Sequence, residues 1–160
     1  MSGLRNSVLP IFSCILLLSS SCAPTEDEVI TADNVVREGS PGVFLDSAVM
    51  GVDYSTSSGL GGTTDSGGTF YYNPGDQVSF TIGGISLGSV TGAAKLTPVE
   101  VMGASGTADQ KVVNLSRLLQ TLDADGDPSN GISISDSTKT TLAAKSINFD
   151  VSVDAFDNAT

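Results

Sequence analysis

Val78-Ser79-Phe80-Thr81-Ile82-Gly83-Gly84-Ile85-Ser86-Leu87-Gly88-Ser89-Val90 is the stretch that sets the fold class. Val78, Phe80 and Ile82 alternate with Ser79 and Thr81. A strand points successive side chains to opposite faces, so this alternation reads as a strand with one buried and one wet face. Gly83-Gly84 supplies the two positions of a tight hairpin turn, and Ile85 to Val90 runs back. An antiparallel, half-buried hairpin is expected from these residues alone.

Upstream, Asn73-Pro74-Gly75-Asp76 is a strong turn, and Thr69 to Tyr72 is a strand leading into it. Asp65 and Asp76 read as turn residues on either side of that strand. Ser57 to Gly68 is a loop of small polar residues, while Val49–Tyr54 and Val43–Leu45 read as strands. Ala93 to Leu96 adds a short strand before Pro98. Downstream the period changes. Val112, Leu115, Leu118, Leu119 and Leu122 recur at helical spacing between Ala108 and Leu122, and Asp109 suits the positive end of that helix. Ile132 to Ile134 reads as a short strand, Asp136 to Ala144 as a second short helix capped by Ser135 or Asp136, and Ile147 to Val153 as a strand. The expected fold is mainly β: an antiparallel β-sandwich over residues 43–101, followed by a short helical segment over 102–160, α+β overall. Val112, Leu115, Leu119 and Leu122 are expected to pack the helix on the sandwich.

The two ends of the composition are equally informative. Arg5 precedes an apolar run, Val8 to Leu18, followed by Ser19-Ser20-Ser21-Cys22. A cation, a short apolar stretch and a small-residue site make an export signal. The run falls short of the roughly 20 residues a membrane-spanning helix needs. All 18 acidic residues lie beyond Cys22, and the formal net charge is −11. Such a field repels phosphate backbones, so nucleic acid is not an expected partner. The chain has no His, and its two cysteines are Cys14, inside the signal, and Cys22. The exported part therefore has no means to build the usual zinc, blue-copper or haem site, nor a Ser-His-Asp or Cys-His nucleophile.

The close of the signal, Leu18-Ser19-Ser20-Ser21-Cys22, resembles the lipobox of bacterial lipoproteins. The resemblance implies a lipid on Cys22, a signal peptide over 1–21 and an acidic tether over 22–42. Ala23, in place of the Asp that usually retains such proteins at the inner membrane, implies anchoring in the outer membrane. The match departs at one place: Leu18 stands four before Cys22, and Ser19 takes the position a Leu usually holds, which leaves ordinary secretion as the alternative.

A second resemblance rests on Asp46-Ser47-Ala48-Val49-Met50-Gly51-Val52, on Gly62-Thr63-Thr64-Asp65-Ser66-Gly67-Gly68-Thr69-Phe70 and on Asn73-Pro74-Gly75-Asp76. This succession is similar to the prealbumin-like sandwiches of the carboxypeptidase regulatory-like and Cna-B-like groups. It implies a fold used for spacers, stalks and docking modules, not a reaction. Phe44 to Ile134 also looks like a recurrent module of Gram-negative envelope lipoproteins, whose members are often longer, so a truncated relative is an open reading.

One constellation carries chemistry: Asp123-Ala124-Asp125-Gly126-Asp127-Pro128-Ser129-Asn130. Three carboxylates at alternate positions repel one another below a helix C-terminus, whose dipole is also negative. A hard cation relieves both costs, and Asp123, Asp125, Asp127 and Asn130 are the expected calcium ligands. The pattern resembles the Asp-rich loops of dockerins. It is not an EF-hand, because Gly126 is fourth rather than sixth and Ile134 stands where the closing Glu belongs. A plain acidic turn is the competing reading. No catalytic residue is assigned. The expected function is a non-catalytic, membrane-anchored envelope lipoprotein binding a partner protein or surface polymer. The alternatives are a small carboxylate-dependent glycosidase-like enzyme and an inactive fragment of a longer lipoprotein.

Overall fold

The alternating stretch forms β6 (Gln77–Ile82) and β7 (Ile85–Thr91), paired antiparallel with Ile82 opposite Ile85 across the Gly83-Gly84 turn. The description is of a computed structural model and covers residues 39–157; the signal, Cys22 and most of the tether lie outside the described residues. Val78, Phe80, Ile82, Ile85 and Leu87 are buried, and Ser86 and Ser89 face water. The turn needs glycine twice over. Gly83 has φ +58, and a Cβ on either glycine would overlap backbone near Leu142 and Ala143.

β3 (Asp53–Thr56) pairs with β6, and β4 (Gly61–Thr63) pairs with β3, giving a four-stranded antiparallel sheet in the order β4-β3-β6-β7. β1 (Ser40–Phe44) stands between β5 (Thr69–Tyr72), antiparallel, and β8 (Lys95–Leu96), parallel. β2 (Val49–Met50) pairs in parallel with β9 (Ile132–Ser133), which comes after the long helix. The protein is thus a mixed α/β fold with antiparallel and parallel pairings and a few helices. The purely antiparallel pattern is corrected at two places. β1 takes β8 along its free edge, and the chain returns through the Asp-rich loop to run alongside β2.

The continuous strand expected over 49–54 is also corrected. Gly51 has φ +89, a conformation other residues rarely adopt, and breaks it into β2 and β3. A Cβ at Gly51 would overlap the Ile134 carbonyl, so the break lets the 132–134 segment come close.

Four helices complete the described chain: α1 (Pro98–Val101), α2 (Gln110–Thr121), α3 (Asp136–Thr141) and α4 (Val153–Asp157). Asp109 caps α2 by accepting the Lys111 N–H at 2.9 Å, and Ser135 caps α3 by accepting the Thr138 N–H at 3.1 Å. Leu115, Leu118 and Leu119 turn into the core, Leu122 is only partly buried against it, and Val112 is buried outside that cluster. Ile147 to Val153 is not a strand. It is held by Asn114 of α2, whose side-chain amide donates to the carbonyls of Phe149 and Val151, both at 2.9 Å, rather than by a strand ladder. One apolar cluster runs from Phe44 through Phe80 and Leu119 to Phe149 and Phe156. Phe44 of β1 stacks on Phe80 of β6 at 5.0 Å, Phe70 of β5 meets Phe80 edge-on at 5.2 Å, and Tyr54 of β3 meets Phe70 at 6.0 Å.

Candidate binding groove and Asp-rich loop

Two places gather chemistry. The first is a groove of about 550 Å³ between the turn after β1, helix α1 and one flank of α2. Its apolar lining comes from Leu45, Pro98, Val99, Val112 and Val113. Local sequence explains each wall. Thr97 and Glu100 close a capping box: Thr97 Oγ1 accepts the Val99 N–H at 3.3 Å, and Glu100 Oε2 accepts the Thr97 N–H at 2.7 Å. With Pro98 in the first turn, that box fixes α1 in place. Val113, Ser116, Arg117 and Gln120 line the groove from α2 at i, i+3, i+4 and i+7, one stripe of the helix.

Asp46 is the only carboxylate among the groove's lining residues. The residue is exposed, yet surrounding protein strips part of the water from its carboxylate. That desolvation raises its pKa above the usual carboxylate value, partly offset by the Ser116 hydroxyl, which donates to Oδ1 at 3.1 Å. Sequence reasoning did not single out Asp46, because a lone Asp after a strand is ordinary turn chemistry. The signals that bear on the groove were Thr97-Pro98-Val99-Glu100, a helix start, and Val113, an apolar residue on the polar flank of α2.

The second place is the Asp-rich loop. Asp123 Oδ1 accepts the Ser133 N–H at 2.9 Å and so ties the end of α2 to β9. Its Oδ2 is buried and meets no hydrogen-bond donor. Asp125 accepts the Asp127 N–H at 2.9 Å on one oxygen and the Asn130 side-chain amide at 2.9 Å on the other. The Asn130 bond and then the Asp127 N–H hold its carboxyl below the ordinary range. Asp127 accepts from the Ser129 amide and hydroxyl, capping the 3-10 turn Pro128–Asn130. The loop thus brings Asp123, Asp125 and Asn130 together and turns Asp127 toward Ser129. Among the described residues no three His, Cys, Asp or Glu side chains converge as a metal cluster.

Compared with protein-family models, curated proteins and solved structures, the chain matches none.

The remaining sequence candidates sit in structural roles. Asp65 accepts the Gly67 and Thr69 amides at 2.9 Å each, closing the turn before β5. Asp76 is 5 % exposed and accepts from Asn73 N–H, Ser57 and Ser58 at 2.7–2.8 Å. The Asn73 amide is the main reason its carboxyl lies at about 2. Tyr54 and Phe70 are buried in the aromatic core. No described helix is long and apolar enough to cross a membrane.

Proposed function

We propose that this chain is a non-catalytic envelope lipoprotein, anchored through a lipid on Cys22, whose folded domain docks a partner in the α1–α2 groove. The observation that carries the docking half is an open, apolar-lined groove with a single carboxylate at its edge. A two-carboxylate hydrolase needs a facing pair, and this groove has only Asp46. The anchoring half rests on the Leu18–Cys22 sequence. Metabolic labelling with an alkyne fatty acid tests it: wild type should label and Cys22→Ser should not, and equal labelling of the two ends the reading. The docking half is tested by photo-cross-linking from Val113 in intact cells.

We also propose that the two larger sheets are the halves of an open prealbumin-like sandwich, a fold suited to display. The three inter-sheet aromatic contacts of Phe44, Phe70, Tyr54 and Phe80 support this reading. A second proposal concerns the loop, where calcium would bind Asp123 and Asp125 with Asn130. The buried, unpartnered Oδ2 of Asp123 favours it, since a buried carboxylate oxygen without a donor is costly. Asp127 would need to leave Ser129 to join them.

A further inference from the structure

The groove's chemistry is asymmetric. Its apolar lining suits a hydrocarbon stem, and it holds a carboxylate that is partly desolvated and, among the described residues, bonded only through the Ser116 hydroxyl. None of the ion pairs among the described residues involves Asp46. A carboxylate in this position loses hydration without gaining a counter-charge. Long basic side chains have the complementary build, an alkyl stem that lies along apolar surface and a charged head at its end. The chain's net charge of −11 draws cationic partners toward the domain before contact. Arg117 also lines the groove, and no ion pair between it and Asp46 is found among the described residues.

We infer that the groove between α1, α2 and the turn after β1 seats one lysine or arginine side chain of an extended partner segment, its stem on Val99, Val112 and Val113 and its charge on Asp46. This rests on the docking function proposed above and names the partner's chemistry. The probes are three fluorescein-labelled peptides: Ala-Leu-Lys-Leu-Ala-Gly, the same peptide with norleucine for lysine, and the same with glutamate. They are titrated into the processed full-length protein by anisotropy, with amide shifts of Val113 and Ser116 followed by NMR. The lysine peptide is expected to bind about tenfold tighter than the norleucine peptide, the factor set by ~1.4 kcal/mol. That preference should vanish in Asp46→Asn and persist in Asp136→Asn, which removes an acid elsewhere. Equal binding of lysine and norleucine peptides at the groove amides overturns the cation inference and leaves groove docking standing. A lysine preference that survives Asp46→Asn puts the cation elsewhere on the acidic surface and also overturns it. No movement of the groove amides with any peptide overturns both.

Discussion

Asn114 is the most exposing test of how the C-terminal segment is held. Its side chain is fully buried, its amide nitrogen donates to the Phe149 and Val151 carbonyls at 2.9 Å each, and its Oδ1 has no partner. Asn114→Asp keeps the shape and reverses the chemistry. In the ionised form both donors are lost and two carboxylate oxygens face carbonyl oxygens; in the protonated form one O–H donor remains. Two hydrogen bonds are worth about 2 kcal/mol net. Burying the charge costs more, and the group escapes by protonating, with a folded pKa raised by roughly 3 units over the unfolded value of about 3.9. Because the folded pKa is the higher one, the variant is most stable below about pH 4. It loses about 1.36 kcal/mol per pH unit as pH rises toward the folded pKa. The deficit against wild type should be about 1 kcal/mol at pH 4, where the protonated carboxyl still donates one hydrogen bond, and about 5 kcal/mol at pH 8. That is a large share of the roughly 5–15 kcal/mol that holds a typical domain. Urea unfolding of both proteins between pH 4 and 8 reads it directly. A deficit below about 2 kcal/mol at pH 8, or one that does not change with pH, would refute the role given to Asn114.

Acid titration probes Asp76, whose carboxyl lies at about 2 in the folded protein. A lowered folded pKa gives stability that is present above the unfolded value and lost as pH falls from about 4 toward 2. Wild type should weaken through that window more steeply than Asp76→Asn, and equal slopes would contradict the capping role. Calcium is tested by thermal unfolding: at tenfold excess over a millimolar-range dissociation constant, wild type should gain about 1.4 kcal/mol, a rise of roughly 5 °C. Magnesium should not reproduce the gain, and an Asp123→Asn, Asp125→Asn double variant should lack it. If chelator, magnesium and calcium give one melting temperature, the loop is a plain acidic turn.

The hairpin and the long helix were legible because each rests on a local period. Val78, Phe80 and Ile82 alternate regardless of context, and Leu115 and Leu119 fall on one face of any helix over 110–121. Thr97-Pro98-Val99-Glu100 was equally local, a capping box and a proline at a helix start, and went unread because the helix it opens is only four residues long. Parallel pairing was not legible. β2 and β9 are two residues each and lie about eighty positions apart, so their union depends on Gly51 letting the 132–134 segment approach. Ile147 to Val153 has strand periodicity, yet its Phe149 and Val151 carbonyls accept from the Asn114 amide on a helix, a long-range contact that local periodicity does not encode. The groove shares this character. Asp46 and Ser116 are 70 residues apart, and their meeting is a product of the tertiary fold.

Photo-cross-linking in the cells that naturally make this chain tests the docking claim most directly. A diazirine amino acid placed at Val113, in the groove, is compared with one at Ser79, on the outer face of the four-stranded sheet. The docking account predicts one discrete adduct from Val113, absent from Ser79 and lost when Val99→Glu places a charge in the groove lining. The same adducts from both positions, or none from Val113 in protein that is folded and at its normal level, would contradict it.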